Sequence, residues 1–280
     1  MKIAVTGASG FLGRHVATEL VGRGHTPVLA TRDPTTMTSF IPQMKVVRLD
    51  HHAPPADPFT TLGCPDLVIH LAWQGLPHYQ SLKHIENELP AQIHFLESLV
   101  AAGLRKLAVT GTCLEYGTTS GRKSEPMLAD PSTPYAVAKD TLRRYLQYLQ
   151  SKQPFDLNWH RLFYLYGSGQ SEQSLLPQLR RATATGSNFK MSPGDQIRDF
   201  HPVTTAASEI VTLALTEGAC GIVNGCSGQP ISVRGFVERY LAESGISIPI
   251  ELGYYPYTTY EPFAFWGDVS YLKQCLKHSP

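Results

Sequence analysis

Short apolar runs alternate with longer amphipathic segments over the first 160 residues of the chain. Runs without polar alternation are typical of strands buried on both faces of a sheet, and apolar positions three or four apart indicate helices. Alternating strands and helices predict an α/β fold with a doubly wound parallel sheet. The predicted strands are Ile3–Thr6, Val28–Ala30, Val46–Leu49, Leu67–Leu71, Leu107–Thr110 and Leu157–Leu162, and the predicted helices are Leu12–Val21, Gln80–Ala102 and Pro134–Gln150.

The pattern changes after residue 165, where glycine, serine, glutamine and proline become more frequent. We expect a smaller α/β lobe over residues 166–280, of which a part at about 195–225 returns to the large sheet. An aromatic stretch at 253–263 suits no regular element, and exposed rings are costly unless they pack or bind a ligand. The predicted elements of this lobe are the helices Leu175–Thr185, Thr205–Glu217 and Val233–Ser244 and the strand Gly221–Gly225.

Composition narrows the class of protein without giving a function. The chain has 280 residues, a formal net charge of +1 and no clustered basic stripe, so we expect no nucleic-acid partner. No apolar run is long enough to cross a bilayer, and no membrane partner is expected. Five cysteines are scattered without the spacing of metal ligands or redox pairs. They are typical of reduced thiols in a cytoplasmic protein without a metal site.

Three glycines stand between the first predicted strand and the first predicted helix. Gly7 permits a tight turn, Gly10 lets the backbone approach a pyrophosphate, and Gly13 lets the helix pack close to the strand. The helix N-terminus adds N–H groups and the positive end of its dipole. We therefore predict a Rossmann-type dinucleotide-binding domain over residues 1–165. The other residues of this turn that we expect at the cofactor are Ser9, Phe11 and Leu12.

The ends of the next strands predict which dinucleotide binds. An acidic residue after the second strand would accept hydrogen bonds from a ribose diol, but this chain has Arg32 there. An arginine can pair with a 2′-phosphate, which favours NADP(H) over NAD(H), although a solvated turn arginine is the alternative. Asp50 and His51 are expected near the adenine, and Leu71 and Ala72 near the nicotinamide.

A tyrosine and a lysine four residues apart open the helix that begins at Pro134. This spacing places Tyr135 and Lys139 on one helical face, where an ammonium would lower the pKa of the phenol. Thr112, at the end of the fifth strand, can donate a hydroxyl to a carbonyl oxygen. The three residues are therefore candidate catalytic groups, with Tyr135 and Lys139 also touching the cofactor. The alternative is an ordinary amphipathic helix face.

With these motifs the chain resembles the nucleotide-sugar (NAD-dependent epimerase/dehydratase) branch of the extended short-chain dehydrogenase/reductase family. The resemblance implies that the glycine turn holds NAD(P), and that the Thr–Tyr–Lys set moves a proton while hydride passes between nicotinamide and a sugar carbon. It also implies that Arg198 grips a nucleotide diphosphate, against the alternative of a salt-bridged loop arginine. The residues that carry the resemblance are Thr6–Gly13, Ile69–Ala72, Thr112, Tyr116, Gly117, Pro134, Tyr135, Lys139, Arg161–Phe163, Tyr166, Gly167, Gly169, Gln170, Gly194, Asp195, Arg198–Phe200, Asn224, Ser227 and Gly228.

Departures from the family pattern narrow the reaction. Sugar 4,6-dehydratases have an acid–base pair after the catalytic threonine, where this chain has Cys113 and Leu114. Leu114 also occupies the position of the base that epimerises C3 or C5. Cys113 is one place away, and in an extended segment such a shift reverses the side-chain direction, so we expect it to pack behind the sheet. Tyr164 replaces the asparagine usual in UDP-galactose 4-epimerases, which leaves simple hydride transfer.

Two stretches, 111–117 and 253–268, are similar to members that reduce dTDP-linked 4-keto-6-deoxyhexoses, including the dTDP-6-deoxy-L-talose 4-dehydrogenase group. The resemblance thus implies an NADP(H)-dependent reductase of a nucleotide-linked 4-keto sugar. A 4-epimerase with retained NAD is the alternative, and a non-catalytic cofactor sensor a remote one. The helices at 80–102 and 134–150 suit a four-helix contact between two subunits of a homodimer. The residues expected at the substrate are Trp73, Cys113, Tyr164 and Arg198.

Overall fold

The computed structural model describes residues 1–38 and 40–277, and its centre is a sheet of seven parallel strands. The strand order is β11–β7–β5–β4–β1–β2–β3. From β1 the chain adds β2 and β3 on one side and then β4 and later strands on the other, so a crevice lies between the carboxyl ends of β1 and β4. The predicted α/β fold with a parallel sheet is confirmed. The strands of this sheet are β1 (Ile3–Thr6), β2 (Val28–Thr31), β3 (Val46–Arg48), β4 (Leu67–His70), β5 (Lys106–Thr112), β7 (Asp156–Leu162) and β11 (Gly221–Gly225).

Helices cover both faces of the sheet. One apolar core lies between the sheet and α4 and α5, and contains Phe95, Leu142 and Trp159. The other lies on the opposite face, against α1 and α7, and contains Val16 and Ile210. The helices of the described residues are α1 (Phe11–Gly22), α2 (Thr35–Thr38), α3 (Pro58–Thr61), α4 (Leu89–Ala101), α5 (Pro134–Lys152), α6 (Leu175–Thr185), α7 (Val203–Leu215), α8 (Val233–Ser244) and α9 (Ser270–Lys277), with a π-helix at His84–Glu88 and a 3₁₀ turn at Cys113–Tyr116.

Small sheets form the lobe beside the carboxyl ends of the large sheet. One has three strands, and the others are pairs. A separate apolar core under α6 and α8 includes Leu179, Phe189 and Phe236. The division of the chain at residue 165 stays a prediction, since β11 from the C-terminal part lies in the large sheet. The strands of this lobe are β6 (Gly121–Lys123), β8 (Tyr164–Tyr166), β9 (Phe189–Lys190), β10 (Ile197–Pro202), β12 (Pro230–Ser232), β13 (Ile250–Glu251) and β14 (Phe265–Gly267).

Several element boundaries differ from the sequence predictions. The helix expected from residue 80 begins as a π-helix at His84, after a turn in which the backbone N–H of His78 bonds to the carbonyl of Gly75. Strand β5 continues two residues beyond the predicted Thr110, because its partner β7 pairs with it up to Thr112. Helix α7 begins at Val203, directly after Pro202. Within the described part of the chain, no helix has the length and apolar character to span a membrane.

Candidate functional site

The turn between β1 and α1 is too tight for side chains at two of its glycines. Gly7 has φ +69°, and a Cβ there would lie 2.8 Å from the Ala72 backbone nitrogen. A Cβ on Gly13 would lie 2.1 Å from the Gly7 carbonyl oxygen. Gly10 precedes α1 with no side chain capping the helix, so the first N–H groups are free of a capping oxygen. This backbone cradle fits the pyrophosphate of a dinucleotide.

The remaining predicted residues of this turn lie around the cradle. The Ser9 hydroxyl is 2.7 Å from the Thr31 hydroxyl, which ties the turn to the end of β2. The Phe11 ring packs edge-on against His15, with centroids 5.9 Å apart. Leu12 is half-buried against the core under α1. Phe11 and Leu12 thus form the apolar first turn of the helix.

Arg32, Asp50 and Gln74 form one polar patch where β2, β3 and β4 end. The exposed Arg32 guanidinium donates to the Gln74 side-chain oxygen at 3.1 Å, and the Gln74 amide donates to Asp50 at 3.3 Å. Arg32 and Asp50 are thus brought together as neighbouring groups at the predicted adenosine end. Gln74, which joins them, has no signal in the sequence beyond following the fourth strand.

His51 lies beneath that patch, in a buried hydrogen-bond network centred on Glu88. His51 and His52 approach the two carboxylate oxygens of Glu88 at 2.8 and 2.6 Å, and Gln92 and the Gln74 backbone N–H donate to it. Burial alone would raise the pKa of Glu88, but the hydrogen bonds from His51 and Gln92 lower it to about 2. The two histidines and Glu88 offer metal-ligand atoms within 4.8 Å of one another. Their short N···O distances are those of hydrogen bonds.

The same network holds the backbone expected beside the nicotinamide. The Gln92 amide donates to the Ala72 carbonyl at 2.9 Å, and its oxygen lies 2.6 Å from His70. His70 in turn contacts the Thr6 hydroxyl at 2.8 Å. Leu71 and Ala72 are half-buried next to the Gly7 turn. A chain of buried hydrogen bonds thus fixes the loop after β4 against β1.

A capping box shapes the end of β5. The Thr112 hydroxyl accepts from the Leu114 N–H at 3.3 Å, and Glu115 accepts from the Thr112 N–H at 2.9 Å. These bonds turn the chain into a 3₁₀ turn and set the direction of Thr112. Glu115 is fully buried and also accepts from Trp159 at 3.0 Å and Arg161 at 2.7 Å.

Tyr135, Lys139 and Thr112 meet as the sequence predicts. Helix α5 begins after Thr133, whose hydroxyl caps it by accepting from the Ala136 N–H. The Thr112 side chain lies close enough to the Tyr135 hydroxyl to lower its pKa in part. The Lys139 ammonium lies 6.0 Å from the centre of the Tyr135 ring and donates to the Thr110 carbonyl at 2.8 Å.

The pKa of Tyr135 is raised, opposite to the direction expected for a phenol beside an ammonium. Burial raises it well above its usual 10, and the Thr112 side chain lowers it only in part. Burial likewise lowers the pKa of Lys139 to about 7. The physical reason is desolvation, which penalises both charged forms. Near neutrality Tyr135 is therefore a neutral phenol, suited to donating a proton.

Aromatic side chains wall the site around Tyr135. The Trp73 ring lies edge-on to it at 5.8 Å, and Tyr79 is tilted against it at 5.3 Å. Tyr260, from the aromatic stretch, packs against Tyr79 at 6.2 Å. Trp73 is thus beside the predicted catalytic tyrosine, and Tyr260 brings the aromatic stretch at 253–263 to the site. Tyr79 has no sequence pattern that would have singled it out.

Of the two expectations for Cys113, packing behind the sheet is wrong, whereas a place at the substrate stays a prediction. Because the chain turns at Thr112, Cys113 does not follow strand alternation and packs in a cluster with Tyr135 and Phe163 on the substrate-lobe side. Burial raises the pKa of its thiol well above the usual range, so it stays protonated. The signal was present in the sequence, since threonine followed three residues later by glutamate predicts a capping box.

Arg198 and Tyr164 lie at the lobe face of the site, with Glu261 between them. Arg198 is almost fully buried, and its guanidinium donates to Glu261 at 3.0 Å and to the Pro262 carbonyl at 2.9 Å. It also lies over the Tyr164 ring, 5.2 Å from its centre. The Tyr164 hydroxyl is buried without a hydrogen-bond partner among the described residues. The guanidinium of Arg198 is thus that of a salt-bridged, buried arginine, and its contact with a nucleotide diphosphate stays a prediction.

Known proteins of similar sequence include nucleotide-sugar dehydrogenases and epimerases. The model of the NAD dependent epimerase/dehydratase family matches residues 3–224. The dTDP-6-deoxy-L-talose 4-dehydrogenase (NAD(+)) of Aggregatibacter actinomycetemcomitans is 28% identical over 270 residues, which cover 95% of this chain and 99% of the relative. The UDP-glucose 4-epimerase of Neisseria meningitidis serogroup C is 23% identical over 308 residues, which cover 97% of this chain and 90% of that relative.

A solved structure with the same fold is that of MoeE5 in complex with UDP-glucuronic acid and NAD. The TM-score is 0.85 at 25% sequence identity, and the superposition covers 99% of this chain and 93% of the other. The shared fold therefore extends over both the large sheet and the smaller lobe.

Proposed function

Because the chain belongs to the NAD-dependent epimerase/dehydratase family, whose members are short-chain dehydrogenase/reductase enzymes acting on nucleotide sugars, we propose that it reduces a nucleotide-linked 4-keto sugar. The substrate we propose is a 4-keto-6-deoxyhexose carried by a nucleoside diphosphate such as dTDP. The relative named as a 6-deoxy-L-talose 4-dehydrogenase supports this substrate class.

One observation carries the choice of reaction: of the three residues that follow Thr112 in the chain, none is an available base. Cys113 is a buried, protonated thiol, and Leu114 is apolar. Glu115 is enclosed by Trp159 and Arg161 and is fully buried. Dehydration and epimerisation at C3 or C5 both need a base against a sugar C–H bond. Reduction of the ketone needs no such base: a cofactor would supply the hydride, and the protein needs to supply only a proton donor.

The residues of the chain handle the ketone oxygen. Thr112 and Tyr135 present two hydroxyls to it, and Tyr135 donates its proton as negative charge develops on the oxygen. A bound reduced nicotinamide would supply the hydride. Lys139, on the same face of α5 as Tyr135, holds positive charge beside the phenol below its pKa of about 7. The aromatic wall of Trp73 and Tyr79 excludes water from the hydroxyls.

The cofactor that we propose is NADP(H). Arg32 is exposed at the end of β2, and within the described residues its guanidinium donates to the neutral Gln74 side chain and to no carboxylate. A guanidinium in this position suits a 2′-phosphate. The relative from Aggregatibacter actinomycetemcomitans is named for NAD(+), so Arg32 is what supports NADP(H) for this chain.

Replacing Arg32 by aspartate is expected to invert that preference. A charge-assisted pair with a phosphate contributes about 1.5–3 kcal/mol, so the ratio of kcat/KM for NADPH to that for NADH should fall about 10–100-fold. Initial rates with both cofactors measure the ratio. Arg239→Asp makes the same charge change on the exposed face of α8 and serves as the control. An unchanged ratio in R32D would contradict the assignment of NADP(H).

The substrate class is tested with a panel of dTDP- and UDP-linked 4-keto-6-deoxy sugars. We expect NADPH to be oxidised in equimolar amount with the alcohol formed, which absorbance at the nicotinamide band measures. The absence of oxidation with every member of the panel would overturn the proposed reductase.

A nucleotide-sugar 4-epimerase is the second candidate, and the match to UDP-glucose 4-epimerases favours it. An epimerase retains its NAD, consumes no NADPH and converts a sugar alcohol into its C4 epimer. Product analysis of the same mixtures by NMR separates the two reactions. The presence of both Tyr135 and Lys139 speaks against a non-catalytic cofactor sensor.

A further inference from the structure

Trp73 covers the ammonium of Lys139. The Lys139 nitrogen lies 3.9 Å from the centre of the Trp73 ring, closer than to the ring of Tyr135 at 6.0 Å. A cation above an indole face is attracted by the ring quadrupole, and more strongly when both are desolvated. Lys139 is buried here, and its ammonium also donates to the Thr110 carbonyl at 2.8 Å. The position of the indole ring therefore influences where the ammonium sits.

The indole ring is in turn held by His84. Its N–H donates to His84 Nδ1 at 3.1 Å, and because indole nitrogen only donates, Nδ1 must be unprotonated. The other ring nitrogen lies 3.1 Å from the His78 carbonyl, which only accepts. His84 is therefore neutral with its proton on Nε2. Its ring also packs against Tyr135, with centroids 5.3 Å apart.

We propose that His84 is a positioning residue: by accepting from the Trp73 indole, it keeps that ring over Lys139 and so sets the ammonium beside Tyr135. The proposal rests on the proposed function, in which Lys139 assists the phenol. Neither His84 nor its bond to Trp73 belongs to the Thr–Tyr–Lys set.

Protonation of His84 breaks this arrangement. A proton on Nδ1 would face the indole N–H, and the imidazolium would add a second positive charge near Lys139. The charged and titratable groups facing His84 are Lys139 and Tyr135 from α5, Glu88 from its own helix and His78 from the preceding loop. Burial, followed by the charge of Lys139, lowers the pKa of His84 below 6.5, against the raising effects of the His78 carbonyl and Glu88. The neutral, accepting form is therefore the form present at pH 7.

The test compares two substitutions of His84. In His84→Asn the amide oxygen can replace Nδ1 as acceptor and does not titrate, whereas His84→Leu has no acceptor. We expect kcat/KM of the wild type to fall about tenfold as the pH drops through the pKa of His84. In H84N, kcat/KM at pH 7 should stay within threefold of the wild-type value, and its decrease at low pH (the acid limb of the profile) should vanish. H84L should be about tenfold lower at every pH. His94→Asn, an exposed histidine on α4, should keep the wild-type profile.

A second measurement needs no substrate. The chain has three tryptophans, so a ¹⁵N spectrum of the full chain shows three indole N–H signals, and Trp73→Phe identifies the signal of Trp73. We expect this signal to shift with a midpoint below pH 6.5 in the wild type and to be independent of pH in H84N. Trp73→Phe keeps an aromatic face but loses the N–H, so its kcat/KM should also lose the His84 acid limb.

The outcomes separate the two proposals. An acid limb that persists in H84N, or an indole signal that does not titrate with His84, would overturn the positioning role. If no nucleotide sugar is turned over by the wild type, the proposed function fails, while the indole titration still decides whether His84 holds Trp73. Melting temperatures of all variants show whether a loss of activity reflects unfolding.

Discussion

The Tyr135→Phe protein is expected to reduce the sugar ketone about 10²–10⁴-fold more slowly than the wild type, because a positioned proton donor contributes that much to a rate. The loss should fall on kcat, since the proton moves only in the transition state. Tyr135 is buried, so phenylalanine removes the proton-donating hydroxyl while keeping the ring in place. Steady-state kinetics with saturating NADPH measures the effect.

The matched control is Tyr148→Phe, the same change on the exposed face of the same helix, where no loss of activity is expected. The Kd of NADPH for Y135F should stay within a few-fold of the wild-type value, which shows that the glycine turn is intact. A Y135F protein that binds NADPH and reduces the sugar at the wild-type rate would rule out Tyr135 as the proton donor.

Replacing Glu115 by alanine is expected to lower the free energy of unfolding by about 3–5 kcal/mol, because it leaves a buried arginine without its anionic partner. The carboxylate lies 2.7 Å from Arg161 and 3.8 Å from Arg143, and Trp159 donates to it. Urea denaturation followed by circular dichroism measures the change. Glu115→Gln keeps an acceptor for the Thr112 N–H but loses the charge, so its destabilisation should be smaller than that of E115A.

Glu243→Ala, at a mostly exposed carboxylate on α8, is the control for Glu115 and should change the free energy of unfolding by less than about 0.5 kcal/mol. In E115A the Thr112 N–H also loses its acceptor, so kcat should fall even where the protein is folded. A destabilisation under about 1 kcal/mol would show that the arginines find other partners, such as Asp140, which lies 3.9 Å from Arg161.

Local patterns in the sequence determine much of this fold. Helices α6 and α8 have the predicted bounds because each ends at a glycine in the left-handed conformation, Gly186 and Gly245, which the sequence displays. The glycine turn and the meeting of Tyr135 with Lys139 follow from spacing alone. The family that the motifs indicated is confirmed by the match of its model to residues 3–224.

Contacts between segments that are distant in the sequence could not be predicted from such local patterns. Glu88 receives His51, His52 and Gln92 from two separate parts of the chain, and nothing in its neighbourhood along the sequence indicates a buried carboxylate. The pKa values depend on desolvation, which only a packed structure provides. For this reason the pKa of Tyr135 is raised, opposite to the expected direction. Cys113 is different, because the capping box of Thr112 and Glu115 that turns the chain there can be recognised in the sequence. The expectation for Cys113 assumed an extended strand instead.

The site also has an order of assembly during translation. All seven strands of the large sheet are available once residue 225 has left the ribosome, and with them the glycine turn, Tyr135 and Lys139. Tyr260 and Glu261, and β14, which pairs with β6, emerge about 35–40 residues later. At ~5–20 residues per second this delay lasts a few seconds. The strands of the large sheet are thus synthesised before the segments that wall the proposed sugar site.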